Sequence, residues 1–390
     1  MDILLTTYME GQLQQTNTTF HRYMYDQVSW QSRMFGLVGP RGVGKSTMIL
    51  QYIKEHRDAQ HLFYVSADHL YFMSHTLVDL ADEFAKEGGE HLFIDEIHKY
   101  ENWSRELKQI YDTHPDLKIG FTGSSVLDIY KGYADLSRRA PIFMMQGLSF
   151  REYLMLFHQL DAPVFSLKEI LEQKASIPQV VHPLPLFHDY LKRGYYPFAN
   201  EPNFELQLRQ VVNQTMEVDI PVYANMNAAT GRKLKKLLAV IAKSVPFKPV
   251  MDSVATAVGV SRNVLPDYLL YMERAGMIGQ LRDDTGGLRG IGKVEKVYLD
   301  NTNLAYLLGG TATDVGNIRE TLFYNQMRVT TDVISSHVSD FEIDGKTFEV
   351  GGKNKGKKQI THADEGYVVK DDTEFGAGNV VPLWAFGLTY

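Results

Sequence analysis

Residues 39–46 have the types and spacing needed to hold a phosphate group. They read Gly-Pro-Arg-Gly-Val-Gly-Lys-Ser, the pattern G-x-x-x-x-G-K-S, and they follow the apolar run Met34–Val38. Glycines let several backbone N–H groups point at one phosphate, and a helix starting after Ser46 adds the positive end of its dipole. We therefore predict that Lys45 reaches the β- and γ-phosphates of ATP and that the Ser46 hydroxyl ligates Mg²⁺. The predicted nucleotide-binding residues of this loop are Gly39, Pro40, Arg41, Gly42, Val43, Gly44, Lys45, Ser46 and Thr47.

Two adjacent carboxylates can complete such a site. Asp95 lies 50 residues after Lys45 and, with Glu96, ends an apolar run that begins at His91. At the tip of a buried strand, Asp95 would hold Mg²⁺ through water, and Glu96 would polarise the attacking water as a general base. Charged pairs end many strands, but at this separation from a phosphate loop the pair predicts an ATP-hydrolysing site.

Hydroxyl and guanidinium groups accompany two further apolar runs. Leu117–Ser125 ends in hydroxyl side chains, of which Ser124, or else Thr122, could orient water near the γ-phosphate. Arg138 and Arg139 precede the next run, where an arginine can stabilise transition-state charge on the nucleotide of a neighbouring subunit. That role would require a homo-oligomer, and the alternative is an ordinary surface or structural arginine pair.

The composition limits the chemistry to be expected. The chain has 390 residues, is 44% hydrophobic and 22% charged, and contains no cysteine. These values exclude disordered, collagenous and coiled-coil proteins and are typical of two or three compact domains. The missing cysteine excludes disulfides, cysteine-ligated zinc, iron–sulfur clusters and thiol catalysis. Because the sequence shows no signal peptide and no run of about 18 apolar residues, we expect a soluble, cytoplasmic protein without a membrane partner.

The charge is unevenly distributed along the chain. With 40 Lys+Arg and 47 Asp+Glu the net charge is −7, yet residues 231–300 hold 12 basic and 7 acidic side chains. The apolar spacing in this +5 segment predicts a winged helix-turn-helix, with helices over 233–241, 252–258 and from near 263 to 275. Two runs, 277–281 and 293–299, would form the wing hairpin.

Two interpretations of this basic segment are open. Its basic side chains suit contact with the phosphates and grooves of duplex DNA. Against this, the third helix carries Asp267 and Glu273, and winged helices also serve as protein-interaction modules. The candidate DNA-contacting residues are Arg262, Asn263, Arg282, Arg289, Lys293 and Lys296.

Several motifs together resemble the AAA+ ATPases of the STAND-related prokaryotic ATP-binding group. The resemblance rests on Asp95–Trp103, Thr122–Ser125, Leu148–Tyr153 and Tyr190–Pro197, and it extends over nearly the whole chain. It implies a helical lid after the fifth strand, in which Pro197 approaches the adenine base. Gly194-Tyr-Tyr-Pro197 has one residue more than the strict G-x-P pattern of this group, and a plain helix end would explain the same residues.

The resemblance also implies a C-terminal restriction-endonuclease-like domain over residues 316–390. Its metal site would consist of Glu320 on a first helix with Asp340 and Glu349 on a hairpin. An active nuclease needs a lysine two residues after the second strand carboxylate, but Gly351 stands there and Lys353 is the nearest lysine. The domain is therefore predicted either as a nuclease using Lys353 or as a degenerate fold used for structure or DNA contact.

The sequence thus predicts an α/β protein built on a P-loop NTPase parallel sheet. We expect an AAA+ ATPase core over 1–150, a helical lid over 151–230, a winged helix over 231–310 and a restriction-endonuclease-like domain over 311–390. The leading function is Mg²⁺-dependent ATP binding and hydrolysis coupled to DNA binding, with ATP and ADP as ligands. The alternatives are a STAND-like nucleotide switch acting through protein partners and an ATP-gated DNA nuclease.

Overall fold

The apolar runs that precede the polar motifs form one parallel sheet in the structure, which is a computed structural model. It describes residues 1–123, 136, 138–244, 250–283, 292–310, 314–353, 355–356, 360 and 365–390. The chain divides into two compact units, Met1–Gly147 and Leu148–Tyr390. This division lies close to the boundary expected at residue 150, and the finer division of the second unit stays a prediction.

The first unit is a parallel sheet flanked by helices. Its strand order is β2-β3-β4-β1-β5, and every neighbouring pair is parallel. The first three strands are buried along their whole length, which explains why they are continuous apolar runs rather than alternating ones. The strands are β1 Met34–Val38, β2 Leu62–Ser66, β3 His91–Asp95, β4 Lys118–Gly123 and β5 Ile142–Met144, and the helices are α1 Ile3–Gln15, α2 Lys45–His56, α3 Leu77–Lys86 and α4 Trp103–Thr113.

Parallel pairing brings the ends of the central strands to one edge of this sheet. Val38 at the end of β1 pairs with Gly123 at the end of β4, and Asp95 at the end of β3 pairs with Ser66. The glycine loop after β1, the carboxylates of Asp95 and Glu96 at the end of β3, and Thr122 near the end of β4 therefore lie at the same edge of the sheet.

The second unit begins with helices. A capping box formed by Ser149 and Glu152 starts the first helix. A π-helical turn, Thr215–Asp219, joins the last two helices into one continuous helix. These helices are α5 Phe150–His158, α6 Leu167–Leu171, α7 Leu184–Arg193, α8 Phe204–Gln214 and α9 Ile220–Tyr223.

Three helices and a hairpin follow in the order expected of a winged helix. They are α10 Ala228–Ser244, α11 Met251–Val258, α12 Leu265–Arg274, β6 Ile278–Arg282 and β7 Val294–Leu299. A 3₁₀ turn, Arg262–Val264, precedes α12, so Pro266 lies in the first helical turn, where no intrahelical N–H is needed. The two strands pair antiparallel. The assignment of this segment to the winged-helix class stays a prediction.

The C-terminal part is a helix followed by a mixed five-stranded sheet. The order is β12-β11-β10-β9-β8, with β8, β9 and β10 antiparallel and β10, β11 and β12 parallel. The predicted hairpin is β9–β10, and its turn residues Asp344 and Gly345 both have positive φ, as two-residue hairpin turns favour. The elements are α13 Thr302–Gly309, α14 Val315–Thr330, β8 Ile334–Ser335, β9 Phe341–Ile343, β10 Lys346–Gly351, β11 Gly366–Lys370 and β12 Val380–Pro382. Among the described residues, no helix has the length and apolarity needed to cross a membrane.

Candidate nucleotide-binding site

The glycine loop connects the end of β1 to the start of α2. Gly42 and Gly44 have φ values of 83° and 99°, a backbone region that side chains with a Cβ rarely adopt. A Cβ on Gly39 would lie 2.1 Å from the carbonyl oxygen of Met145, so only glycine allows the two backbones to approach this closely. The helix begins at Lys45, directly after Gly44. The loop therefore leaves the start of α2 at the sheet edge, as an anion site requires.

Lys45 is buried in this loop. Its Nζ donates hydrogen bonds of 2.9 Å to the carbonyl oxygens of Gly39 and Pro40. Burial lowers the pKa of Lys45 to about 8, while the nearby carboxylates Glu96 and Asp95 oppose the shift. The loop thus holds the amine where a bound phosphate would meet it.

Asp95 is the centre of a hydrogen-bonded group at the tip of β3. Its Oδ1 accepts a 2.9 Å bond from the Ser46 hydroxyl and a second bond from the Thr122 hydroxyl. Its Oδ2 accepts a 2.8 Å bond from the Tyr64 hydroxyl, and burial together with Asp95 raises the pKa of Tyr64 well above its usual value. Ser46 and Asp95 therefore offer adjacent hard oxygen ligands, which fit Mg²⁺.

Glu96 takes a left-handed backbone conformation, with φ of 50°. Its N–H donates a 3.0 Å bond to the Thr122 hydroxyl, and its carboxylate Oε2 lies 3.3 Å from Nε2 of His98. Thr122 therefore links the Asp95 carboxylate to the backbone of Glu96. Thr122 is the alternative candidate for the hydroxyl that orients water. The preferred candidate, Ser124, lies outside the described residues.

Two residues of the first unit escaped prediction. Tyr64 lies within the apolar run of β2, where its hydroxyl was the only signal. Arg22 is buried; it donates to the carbonyl oxygen of Val43 in the glycine loop and, at 2.8 and 2.9 Å, to those of Gln146 and Gly147. Its contacts join parts of the chain that are far apart in sequence, and no local sequence pattern predicts them.

The remaining candidates for the nucleotide site are Arg138, Arg139 and Pro197. Arg139 pairs with Asp112 at 3.2 Å and lies over the Tyr111 ring, so it is held within its own unit. Arg138 is exposed. Pro197 is half-buried in the second unit, just after α7. The finger role of the arginines and the adenine contact of Pro197 stay predictions.

The structure gives ion-pair partners to most of the candidate DNA-contacting residues, whose role in DNA binding stays a prediction. The Nζ of Lys296 on β7 lies 3.2 Å from Glu320 Oε2 and 3.0 Å from Asp340 Oδ1. Carboxylates also pair with three other candidate residues, and Arg289 lies outside the described residues. These pairs are Arg262–Asp252 at 3.1 Å, Arg282–Glu273 at 2.9 Å and Lys293–Glu295 at 2.6 Å. Asn263 is exposed.

The residues of the predicted second site have partners of their own in the structure, and their role as metal ligands stays a prediction. Glu320 and Asp340 do come together, but through Lys296, and the lysine that reaches Glu349 is Lys355 rather than Lys353. Lys353 lies in the turn after β10, where its carbonyl oxygen accepts a bond from Lys370. The stem of Lys355 instead passes over Gly351, within 2.6 Å of where a Cβ would stand.

Another group that sequence reasoning missed is formed by His188, Asp371 and Asp372. Their ligand atoms lie close enough together to share a metal ion. However, Arg319 already donates to Asp371 at 2.9 Å. The guanidinium accordingly balances the buried carboxylate.

Comparison with known protein families agrees with the geometry of the first unit. Residues 31–154 match an AAA domain. That segment contains the glycine loop, Asp95, Glu96 and Thr122. Residues 184–314 match a domain of unknown function (DUF8612). No curated protein matches the chain.

Several solved structures match the chain at low sequence identity. The Walker-type ATPase PABY2304 of Pyrococcus abyssi is 14% identical, with a TM-score of 0.47 and coverage of 76% of this chain and 99% of its own. AMPPCP-bound DnaA from Aquifex aeolicus is 11% identical, with a TM-score of 0.30 and coverage of 64% and 84%. Cdc6p from Pyrobaculum aerophilum is 11% identical, with a TM-score of 0.30 and coverage of 81% and 94%.

Proposed function

We propose that the unit Met1–Gly147 binds ATP with Mg²⁺ and hydrolyses it. The observation that carries this proposal is the chain of contacts from Ser46 through Asp95 and Thr122 to Glu96, beside the glycine loop. Each member has the chemistry that phosphoryl transfer to water needs, and the AAA domain match covers all of them. A glycine-rich turn alone would not bring a hydroxyl, two carboxylates and a buried lysine together.

Binding rests on the loop and on the two oxygen ligands. The backbone N–H groups of residues 39 and 41–46 and the Lys45 amine would hold the phosphates, and Ser46 and Asp95 would hold Mg²⁺. A Mg²⁺ ion held there would neutralise negative charge on the phosphate oxygens. Since Lys45 is already hydrogen-bonded to Gly39 and Pro40, phosphate binding exchanges carbonyl oxygens for phosphate oxygens.

Hydrolysis rests on Glu96. Its carboxylate accepts a proton from the water whose oxygen attacks the γ-phosphorus, and the bond to the leaving β-phosphate oxygen breaks. Thr122 fixes the backbone of Glu96 through the 3.0 Å bond, and His98 contacts its carboxylate. Both neighbours act as positioning residues because neither needs to exchange a proton with the substrate.

Nucleotide binding is tested by replacing one lysine of α2 and comparing it with another. Lys45→Ala removes the buried amine of the loop and should weaken binding of a fluorescent ATP analogue at least about 100-fold, as loss of a charged contact to phosphate implies. Lys54→Ala is the matched control, since Lys54 lies on the same helix but bonds to the Thr16 carbonyl oxygen. Equal affinity of both variants and the wild type would refute the site.

We also propose that the described residues most suited to DNA lie on α10 rather than on the wing. Arg232, Lys233, Lys236 and Lys243 are exposed on this helix, and within the described part of the chain no ion pair involves them. Their unpaired charge can release counterions from a duplex, whereas the paired charge of Lys293 cannot do so as readily.

The DNA proposal is tested by two charge reversals. Arg232→Glu with Lys236→Glu should reduce duplex binding at least about tenfold at 50 mM salt, because two phosphate contacts are lost. Lys293→Glu should change it less than about threefold. Fluorescence anisotropy at two salt concentrations measures the duplex affinity of both variants. If Lys293→Glu weakened binding more than the double variant of α10, the wing would be the DNA-contacting surface.

Arg138 is our candidate for an arginine finger. It is exposed, whereas Arg139 is bound to Asp112. A finger acting in trans predicts that Arg138→Ala lowers ATP turnover by about 10³-fold or more without loss of nucleotide binding. A wild-type rate of ATP turnover in this variant would show that Arg138 does not act as an arginine finger.

A further inference from the structure

Three carboxylates of the second unit stand where the resemblance to restriction endonucleases implies a metal site. Glu320 comes from α14, Asp340 precedes β9, and Glu349 lies on β10. In the structure, the side chains of two lysines, Lys296 and Lys355, pair with these carboxylates.

The first lysine comes from the hairpin β6–β7. The Lys296 ammonium lies 3.2 Å from Oε2 of Glu320 and 3.0 Å from Oδ1 of Asp340, so it bridges the two carboxylates. Only 14% of its side chain is exposed. An ammonium held between two carboxylates occupies the position that a bridging cation would need.

The oxygens of these carboxylates also accept other hydrogen bonds. The Tyr298 hydroxyl donates to Oε2 of Glu320 at 2.8 Å, and the backbone N–H of Val350 donates to Oδ2 of Asp340 at 3.1 Å. Ser339 donates its hydroxyl to Oε2 of Glu349, while Lys355 pairs with Oε1. A metal ion would have to displace these donors as well as Lys296.

The charges support the same arrangement. The carboxylate oxygens of Glu320 and Asp340, at 3.2 and 3.0 Å from the Lys296 Nζ, favour the charged form of the lysine. Three carboxylates facing two lysines leave little negative charge to attract a divalent ion.

We propose that the Lys296 ammonium is the resident cation of this carboxylate cluster, in the place of a divalent metal. Mg²⁺ needs about six oxygen ligands at about 2.0–2.1 Å and keeps several waters, and it cannot share this space with the ammonium. The cluster therefore fastens the hairpin β6–β7 to α14 and β9, and it does not support metal-dependent cleavage of DNA. This proposal is independent of ATP binding by the first unit.

Metal binding in the absence of nucleotide tests the proposal directly. Mn²⁺ is titrated into the full chain and followed by electron paramagnetic resonance. The wild type should bind no more tightly than Asp340→Asn. Lys296→Met removes the ammonium and keeps the apolar stem, and it should tighten Mn²⁺ binding at least tenfold. Lys296→Met with Asp340→Asn should lose that gain.

Two further variants separate charge from folding. Lys296→Arg keeps a positive charge and should bind no additional Mn²⁺, and Lys293→Met, on the exposed neighbouring position, should behave as the wild type. Circular dichroism and thermal melting show whether each variant is folded. If Lys296→Met unfolds, the comparison of the wild type with Asp340→Asn still decides the matter.

Three results would overturn the proposal. One is wild-type Mn²⁺ binding that weakens tenfold or more in Asp340→Asn, since a metal would then displace Lys296. Another is failure of folded Lys296→Met to bind Mn²⁺, since the cluster would then be no cation site. The third is nicking of plasmid DNA by the wild type with Mn²⁺ that is lost in Asp340→Asn.

Discussion

At the scale of single residues, Thr122 connects the Asp95 carboxylate to the backbone of Glu96 in the candidate nucleotide site. Thr122→Val keeps the shape of the side chain but removes the hydroxyl that bonds to both Asp95 and the Glu96 N–H. ATP turnover should fall about 10- to 100-fold because Glu96 loses its positioning, while affinity for the fluorescent nucleotide changes less than about threefold.

The control for this variant is Thr113→Val. Its hydroxyl donates to the carbonyl oxygen of Gln109 on the exposed side of α4, so turnover should be unchanged. Steady-state kinetics with an affinity measurement separates the two effects. Unaltered turnover in Thr122→Val would remove this residue from the site.

His91 gives the first unit a pH-dependent stability. It is fully buried at the start of β3, stacks on Phe93 with ring centroids 4.0 Å apart, and burial lowers its pKa to about 3. The unfolded chain, with a histidine pKa near 6.5, binds a proton that the folded chain rejects. Stability due to neutral His91 is therefore full above about pH 6.5 and is lost as the pH falls toward 3.

The difference between the two pKa values of His91 sets the size of this loss of stability. From pH 7 to pH 5 the wild type should lose about 2 kcal/mol more in free energy of unfolding than His91→Phe, which cannot take up the proton. Urea unfolding of both proteins at the two pH values measures the difference. The same pH dependence in both would show that His91 is protonated in the folded state.

At the scale of elements, the turn between β1 and α2 depends on a close approach to the end of β5. Gly39→Ala places a Cβ 2.1 Å from the Met145 carbonyl oxygen, and the backbone must move. We expect a loss of stability of about 2 kcal/mol or more and strongly weakened nucleotide binding.

Gly11→Ala is the matched substitution for this test. No atom lies within 4 Å of the added Cβ, and Gly11 is inside α1, so this variant should gain about 0.5–1 kcal/mol. Denaturant unfolding measures both values. A Gly39→Ala protein as stable as the wild type would contradict the geometry assigned to the loop.

The elements that local patterns describe were largely predictable. Buried strands of a parallel sheet are continuous apolar runs, so β1, β3 and β4 could be placed from the sequence, together with the glycine loop after β1 and the carboxylates at the end of β3. Contacts between distant segments could not. Lys296 pairs with residues 24 and 44 positions away, and only the folded chain shows that its charge is paired with carboxylates of the same protein. Lys355 likewise replaced Lys353 because Gly351 leaves room for its stem.

On the scale of the whole molecule, the chain has two compact units, and only the first carries the candidate nucleotide site. ATP with Mg²⁺ should therefore protect the amides of Met1–Gly147 from hydrogen exchange. At about 100 times the dissociation constant the gain is about 2.7 kcal/mol, so the slowest amides should exchange about 100-fold more slowly. Mass spectrometry of peptic fragments locates the protection. Protection of amides in Leu148–Tyr390 alone would contradict the assignment of the nucleotide site to the first unit.

The rate of ATP hydrolysis by the wild type and by Glu96→Gln tests the central claim most directly. Glu96→Gln keeps the size of the side chain but cannot accept the proton, so it should bind ATP normally and lose at least about 99% of turnover. A strong increase of the wild-type rate by duplex DNA would favour a DNA-responsive ATPase, whereas slow turnover with retained nucleotide would favour a switch. Hydrolysis by Glu96→Gln at the wild-type rate would contradict the assignment of this site.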